Sequence, residues 1–323
     1  MNSAIFEEIY TDWINNFDSG NGYEFFAKKF GFSSAEAARS SFRRERRKRG
    51  LKRENGIVEQ KKIVKKSPKI LIFDIETSFI QAAVWSLGKQ YVNKRQILKD
   101  WFCFSYSAKW LYDDAVMSGV LTPEEAKNGN DKRIMEELWN LLSECSIAIT
   151  YNGNFFDIPK VNTRFIINGF APPHPYKSID VYQTISRVFA FSSKSMDFVS
   201  YKLELERKLE NSGMELWMAC SEGKPEALLE MVTYNKQDVV CLETDYLRIR
   251  PWIKNHPNIG VWHDSKERVC GFCGSDNLRL TDKTYPTPAG IYKTFRCNDC
   301  DGIGRSKENE LSKEKRKVIS PNI

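Results

Sequence analysis

Two carboxylates lie close together in the chain, at Asp74 and Glu76. They end the run of residues 69–74, whose apolar side chains predict a strand buried on both faces. Side chains two residues apart in a strand leave the same face, so the two acids are expected side by side. Such a pair resists burial unless a cation lies between the carboxylates. A strand end that carries Asp-x-Glu into solvent is the alternative, and the pair alone favours that alternative.

Two further acids stand in contexts that favour the same chemistry. Asp157 follows a predicted strand over residues 147–151 and the turn over residues 152–154, and it opens a predicted helix. Asp238 lies four residues after Tyr234 in a predicted helix, so the two side chains share a face. Taken singly, Asp157 could serve only to compensate the helix dipole. The Tyr234 and Asp238 pair alone would also be ordinary helix structure.

The three segments together resemble the motifs of the DEDD superfamily of 3′→5′ exonucleases, which has an RNase H-like fold. The motifs are Phe-Asp-Ile-Glu-Thr at residues 73–77, Tyr-Asn-Gly-Asn-Phe-Phe-Asp at residues 151–157, and Tyr234-x-x-x-Asp238. The last is the tyrosine variant, because Thr233 stands where the histidine variant requires histidine. The resemblance covers about residues 68–250, with the motifs in the family's order.

The resemblance implies a two-metal site for phosphodiester hydrolysis. Two Mg²⁺ or Mn²⁺ ions about 4 Å apart suit oxygen ligands and serve the attacking water and the leaving oxygen. The implied metal ligands are Asp74, Glu76, Asp157 and Asp238, and Tyr234 is expected to orient the water. Thr77, Asn152 and Phe155 are the expected contacts to nucleic acid, although a purely structural turn explains Asn152 and Phe155 equally well. Asp180 is expected to support the site or the fold.

Four of the eight cysteines form two C-x-x-C pairs, Cys270/Cys273 and Cys297/Cys300. Two such knuckles predict a tetrahedral structural Zn²⁺ site in a zinc ribbon, and a redox pair is the less favoured alternative. Positive residues and an aromatic between the knuckles suggest nucleic-acid contact, with protein binding almost as plausible. These residues are Arg279, Lys283, Tyr292, Lys293 and Arg296. The three histidines show no ligand spacing with one another, and His263 is expected to be incidental.

The order of strands and helices predicts an α/β fold: an RNase H-like mixed sheet flanked by helices, with an N-terminal helical module and a C-terminal zinc ribbon. The predicted divisions are a helical, helix-turn-helix-like module (1–50), a basic linker (51–67), the nuclease domain (68–262), the zinc ribbon (263–304) and a disordered tail (305–323).

Positive charge is concentrated in one short segment of the chain. The whole chain has a net charge of +7, whereas residues 39–66 carry thirteen basic and three acidic residues. Gly31 and a capping-box pattern at residues 33–36 predict a turn followed by a long basic helix that ends near Gly50, as in a helix-turn-helix unit. The predicted DNA or RNA contacts are Arg43, Arg44, Arg46, Arg47, Lys48 and Arg49. A solvated basic face is the alternative.

The sequence lacks the pattern of a signal peptide and any apolar run of 18 residues, so no membrane partner is expected. The scattered single cysteines favour a reducing compartment, and a cytoplasmic, nucleoid-associated protein is expected. DNA or RNA is the expected partner, with a replication or recombination protein as a further candidate. The build also resembles small nucleases of bacteria and bacteriophages.

Three functions remain open on the sequence. A 3′→5′ exonuclease is favoured by the Tyr234-x-x-x-Asp238 motif. An endonuclease of transposase or resolvase type would combine the same three modules. A non-catalytic DNA-binding regulator could retain the fold, but the complete set of acids counts against it.

Overall fold

The structure is a computed structural model, and it describes residues 3–15, 23–48 and 67–320. The chain forms two compact units, residues 1–66 and residues 67–323. Each unit is described by itself. In the part of the chain that the structure describes, no helix is long and apolar enough to cross a membrane.

The described part of the first unit consists of three helices, α1 (Ser3–Asn15), α2 (Tyr23–Phe30) and α3 (Ala35–Lys48). Their apolar faces meet in a small aromatic core that includes Phe6, Phe26 and Phe42. Gly31 has a φ of 70°, which ends α2, and Ser34 Oγ accepts a hydrogen bond from the Ala37 amide at 3.1 Å. The succession of a short helix, a glycine turn and a longer helix agrees with the sequence analysis. Binding of nucleic acid stays a prediction.

The predicted basic contacts fall on α3 and just beyond it. The side chain of Arg44 is exposed. The side chains of Arg43, Arg46, Arg47 and Lys48 lie outside what the structure describes, and so does the whole of Arg49. The predicted linker over residues 51–67 falls almost entirely outside the described residues as well.

The second unit is built on a five-stranded sheet with the strand order β5-β4-β1-β6-β7. Its strands are β1 (Ile70–Thr77), β4 (Cys103–Trp110), β5 (Met117–Val120), β6 (Ile147–Thr150) and β7 (Lys177–Asp180). The central strand β1 pairs antiparallel with β4 and parallel with β6, so the sheet is mixed as predicted. A small hairpin, β2 (Gln81–Ala82) and β3 (Ile97–Lys99), is inserted between β1 and β4.

Helices cover both faces of this sheet. They are α4 (Pro123–Asn128), α5 (Lys132–Glu144), α6 (Asp157–Ile167), α7 (Val181–Val188), α8 (Met196–Lys202), α9 (Met214–Ser221) and α10 (Pro225–Ile249). Because side chains alternate along a strand, Leu71 and Phe73 join one apolar layer with α5 and α6. Ile70 and Ile72 join the other layer, which α7, α8 and the long α10 supply. Asp74 follows the same alternation, so it faces the α10 layer.

A second sheet follows near the end of the chain, with the strand order β10-β9-β8. Its strands are β8 (Leu278–Thr287), β9 (Gly290–Cys297) and β10 (Ile303–Asn309), and a short helix α11 (Lys313–Lys317) comes after them. The prediction of a disordered tail from Arg305 was therefore wrong for residues 305–317. β10 contains one apolar residue, Ile303, and it is a strand because its main chain pairs with β9.

Candidate functional site

The end of β1 lies against the middle of α10, and this contact creates an acidic cluster. Carboxylate oxygens of Asp74, Glu76 and Asp238 all lie within 4.8 Å of one another. The first two share a face of β1, and Asp238 comes from α10. The structure thus brings together three of the four acids that the sequence predicted as metal ligands.

Asp157, the fourth predicted acid, adjoins this cluster from the start of α6. Its Oδ1 accepts a hydrogen bond from the main-chain amide of Ile75 at 3.2 Å. Ile75 lies between Asp74 and Glu76, so the bond ties α6 to the acidic end of β1. The carboxylate of Asp157 is buried, with 2% of the residue exposed.

The acids strongly disfavour one another's charge. Burial, followed by repulsion from Asp157, Glu76 and Asp238, raises the pKa of Asp74 well above its usual value. Burial and the charge of Asp238 raise the pKa of Glu76 to about 8. Burial also raises the pKa of Asp157 to about 7, although the hydrogen bond from Ile75 opposes the shift. These buried carboxyl groups can all be ionised near neutral pH only if positive charge lies among them.

The donors fit hard divalent cations. Oδ1 of Asp238 is buried and has no hydrogen-bond partner among the residues that the structure describes. An unpartnered buried carboxylate oxygen is costly, and a bound cation would satisfy it. All the converging atoms are carboxylate oxygens, which are the ligands that Mg²⁺ and Mn²⁺ prefer.

Asn235 belongs to the site, and the sequence analysis did not single it out. Its Nδ2 donates to Oδ2 of Asp74 at 2.7 Å, while its Oδ1 accepts from the Ser105 hydroxyl at 3.2 Å. The residue is completely buried. Asn235 therefore fixes one oxygen of Asp74 and leaves the other free to bind a ligand.

Lys208 is the second residue that the sequence analysis missed. It comes from the irregular segment between α8 and α9, and its Nζ donates to Oδ2 of Asp238 at 2.7 Å and to the Tyr234 hydroxyl at 3.1 Å. Burial alone would lower the pKa of Lys208, but the charge of Asp238 raises it above the usual value. A permanent positive charge thus lies at the edge of the acidic cluster.

Tyr234 lies one helical turn before Asp238 on α10, as the spacing predicted. Burial, followed by the charge of Asp238, raises the pKa of the Tyr234 phenol to about 12. The hydroxyl therefore keeps its proton at neutral pH and can donate a hydrogen bond beside the acids.

The three predicted nucleic-acid contacts near the site have different surroundings. Thr77 is buried at the end of β1, and its hydroxyl accepts from Lys160 Nζ at 3.0 Å. Asn152 has a φ of 64°, and its amide donates to Asp180 Oδ1 at 2.9 Å. Phe155 is 73% exposed on the same turn. The structure leaves Phe155 and Thr77 as candidate substrate contacts and shows a structural bond for Asn152.

Asp180 organises the turn that precedes Asp157. Its Oδ2 accepts from the Asn154 amide at 3.2 Å, and its Oδ1 accepts from the Gln183 amide at 3.3 Å as the N-cap of α7. A Cβ at Gly153 would lie 2.2 Å from Thr150 Oγ1, so the turn requires glycine there. The supporting role that the sequence suggested for Asp180 agrees with these bonds.

The four cysteines form a second candidate metal site. All four Sγ atoms lie within 4.8 Å of one another, and the Cys270–Cys300 and Cys273–Cys297 pairs are each 3.6 Å apart. A tetrahedral zinc ion with Zn–S bonds of about 2.3 Å requires sulfurs about 3.8 Å apart. The cluster is compatible with structural Zn²⁺, and the separations are too long for disulfides.

The cysteine cluster is anchored on α10 and on the segment that follows this helix. The Ile259 amide donates to the Gly271 carbonyl at 2.8 Å, and the ring of Phe272 packs on His256. His256 Nε2 is 2.8 Å from the Tyr246 hydroxyl on α10. Gly274, with a φ of 78°, has no room for a Cβ because His263 Nε2 would be 2.3 Å away. His263, expected to be incidental, thus packs on the first knuckle.

The acidic cluster and its mixed sheet match a known family. The sequence model of the RNase_H superfamily matches residues 71–248, which is slightly more than half of the chain. The chain therefore belongs to the RNase_H superfamily. The RNase H-like fold supports a nuclease, and a nuclease fold implies a nucleic-acid substrate.

One solved structure illustrates the similarity. The chain resembles the family B DNA polymerase from the hyperthermophilic archaeon Pyrobaculum calidifontis, with 14% sequence identity and a TM-score of 0.43. The match covers 61% of this chain and 27% of the polymerase chain, so this chain spans about a quarter of that polymerase. No curated protein matches the sequence.

Proposed function

We propose that the protein is a metal-dependent 3′→5′ exonuclease of the DEDD superfamily in its tyrosine variant. The observation that carries the proposal is the convergence of Asp74, Glu76 and Asp238, with Tyr234 one turn from Asp238 on α10. The substrate is DNA or RNA with a free 3′ end. Endonucleases of the same superfamily share the acids, and the tyrosine is the feature that favours the exonuclease.

The four carboxylates would hold two Mg²⁺ or Mn²⁺ ions. When bound, these ions supply an activated water and charge stabilisation at the leaving oxygen. Asp74 is held by Asn235, and Asp157 by the Ile75 amide, so both offer their second oxygen in a fixed direction. Such fixed ligands reduce the reorganisation that the reaction requires.

Tyr234 and Lys208 would act on the water and the phosphate. The protonated Tyr234 hydroxyl would orient the attacking water by hydrogen bonding. Lys208 would leave Asp238 when ions bind and would offer its ammonium group to the scissile phosphate. Its Nζ contacts both the Tyr234 hydroxyl and Asp238, which supports a role at this point of the site.

The C-terminal and N-terminal parts have supporting roles in this proposal. The four cysteines would hold one structural Zn²⁺ and close the ribbon. The basic α3 helix, with Arg44 on its surface, would bring the enzyme to nucleic acid through phosphate contacts. A filter-binding assay of a variant with Arg43, Arg44, Arg46 and Arg47 changed to glutamine tests the latter role, with loss of salt-sensitive binding as the expected result.

End-labelled substrates test polarity and mode together. A 5′-labelled single strand should give a descending ladder with Mg²⁺ or Mn²⁺, whereas a 3′-labelled strand should release labelled mononucleotide at once. Closed circular DNA and RNA should stay intact. Asp74→Asn and Asp238→Asn should be inactive, and Asp282→Asn, an exposed acid on β8, is the matched control. Cleavage of circles, or full activity of Asp74→Asn, would overturn the proposal.

A further inference from the structure

The segment between β1 and β4 exposes large apolar side chains. We call residues 78–99 the arm. At its tip Trp85 is 99% exposed, Leu87 is 98% exposed and Tyr91 is 95% exposed. Three fully exposed large side chains within seven residues form an unusual surface for a folded domain, and such surfaces serve binding.

All the charged side chains of the arm are basic. No aspartate or glutamate occurs in residues 77–99, whereas four basic residues do. Lys99 is used internally, because its Nζ donates to the carbonyls of Ala126 and Lys127. Lys89, Lys94 and Arg95 are exposed, and none of them has an ion pair within the described residues. Basic residues interleaved with aromatic rings suit a polyanion that carries planar rings able to stack on them.

The arm has a defined conformation at its base. The Ala83 amide donates to the Gln96 carbonyl at 2.9 Å, and the Gln96 side chain donates back to the Ala83 carbonyl at 2.9 Å. Asn93 and Gln96 form a capping box around a short 3₁₀ helix. The tip is therefore presented by a hydrogen-bonded stem.

The base of the arm is continuous with the acidic cluster. Thr77 ends β1 directly after Glu76, and its hydroxyl accepts from Lys160 Nζ. The same Nζ lies 4.1 Å from the ring centre of Trp101 and 4.8 Å from that of Phe156. Trp101 is where the chain returns from the arm, and the Ser78 amide donates to the Phe102 carbonyl at 2.8 Å. Basic and aromatic groups thus extend from the site to the arm.

We infer that the arm binds the single-stranded nucleic acid that leads away from the active site. Bases would stack on Trp85 and Tyr91, and Lys89, Lys94 and Arg95 would contact phosphates. This inference rests on the proposed function, because it assigns the substrate strand a path. The absence of acid from the arm favours a nucleic acid over an apolar protein groove.

Binding without cleavage tests the inference in the full-length protein. Anisotropy of fluorescent dT20 and rU20 is measured without added Mg²⁺ or Mn²⁺, so that no hydrolysis is needed. Trp85→Ala with Tyr91→Ala should weaken binding at least tenfold, on the order of the stacking of two bases. Leu87→Ala is the matched control, equally exposed but without a ring, and should change affinity less than twofold. Comparing the affinities for dT20 and rU20 shows whether the bound strand is DNA, RNA or both.

A second comparison uses substrate length and charge. With Mn²⁺, the double variant should cleave dT4 at the parent rate and dT20 at least tenfold more slowly in kcat/KM, because only the longer strand reaches the arm. Changing Lys89, Lys94 and Arg95 to glutamine should reduce the salt slope of dT20 binding by about two to three.

Unchanged dT20 affinity in the ring variant overturns the inference, and so does an equal loss in Leu87→Ala. A change of oligomeric state without a change in affinity would assign the tip to self-association and also overturn it. If metal supports no cleavage while the ring variant loses binding, the nuclease proposal fails and the arm proposal stands.

Discussion

Nζ of Lys208 lies 2.7 Å from Oδ2 of Asp238, and this ion pair joins an irregular loop to the most crowded group of acids in the described part of the chain. Asp238 is almost completely buried, whereas about a quarter of the lysine side chain is exposed. The partly exposed lysine places one positive charge at the edge of a cluster of buried acids, where it compensates part of their negative charge.

Replacing Lys208 with methionine should lower the free energy of unfolding by about 1–3 kcal/mol in metal-free buffer, because Asp238 loses its partner. The same variant should bind Mg²⁺ more tightly than the parent, since the cluster becomes more negative. Thermal melts over a Mg²⁺ titration measure both effects. Lys89→Met, an exposed lysine without an ion pair among the described residues, is the control. Unchanged or weaker Mg²⁺ affinity in Lys208→Met would show that the lysine charge does not act on the acids.

Asp74→Asn should separate stability from activity. The amide keeps an oxygen that can accept from Asn235 but removes one charge from the cluster, so the metal-free protein should be more stable at pH 8 by about 1–3 kcal/mol. Cleavage should fall at least about a thousandfold, and Mg²⁺ should no longer raise the melting temperature. A destabilised metal-free variant would contradict the raised pKa of Asp74.

Tyr234→Phe should reduce kcat by about 10–100-fold with little change in KM, because only the water-orienting hydroxyl is lost. The tyrosine keeps its proton up to a pKa of about 12, so it should add no limb to the pH–rate profile below pH 10. Steady-state rates from pH 6 to 10 measure both points. A parent profile with a limb near pH 9 that Tyr234→Phe removes would mean that the phenol acts as a base.

Asp245 gives the protein a pH-dependent stability. Burial raises its pKa from 3.8 to about 7, although a hydrogen bond from Ser200 opposes the shift. Between these two values the folded state holds a proton that the unfolded state has lost, so this residue's contribution falls as the pH rises from about 4 to about 7 and is then level. The free energy of unfolding of Asp245→Asn relative to that of the parent should therefore increase across that interval, and the difference should reach about 1–4 kcal/mol at pH 8. Urea unfolding at pH 5 and pH 8 measures the difference. An equal gain at both pH values would exclude titration of Asp245 as its source.

The purified protein should contain one zinc ion per chain by elemental analysis. Cys297→Ser should abolish the zinc content, because a serine hydroxyl is a poor replacement for a thiolate ligand. Cys145→Ser is the matched control: the Cys145 thiol lies 3.3 Å from the Leu142 carbonyl, and a serine hydroxyl can donate to the same oxygen. Retention of zinc by Cys297→Ser would contradict the four-sulfur site.

Two of the local pairings at the site could be predicted because they depend on short-range geometry, whereas the meeting of β1 with α10 was expected only from the family resemblance. Alternation along β1 puts Asp74 and Glu76 on one face, and helical spacing puts Tyr234 beside Asp238. Asn235 was missed although it lies three residues before Asp238 on that same face, so the spacing argument would have found it. Lys208 had no such signal, because the path of an irregular loop depends on the packed domain around it.

Strands were predicted well where they are buried and poorly where they are not. β1 begins with four buried apolar residues and all four residues of β6 are buried, whereas two of the four residues of β7 are exposed. β10 is polar over nearly its whole length and is held by main-chain pairing with β9. The ring-bearing tip of the arm had no periodicity to predict its exposure, because exposure of apolar residues depends on what the rest of the fold leaves uncovered.

The alternation of β1 also limits how this chain can change in length. Ile72 and Asp74 face α10, while Leu71 and Phe73 face the opposite layer. Inserting or deleting one residue within positions 70–73 would place Asp74 and Glu76 in the layer of Leu71 and Phe73, away from α10. The alternative is that β1 would lose its main-chain pairing with the neighbouring strands. Related chains should therefore exchange one aliphatic residue for another in this segment, while insertions and deletions collect in the connections that follow it.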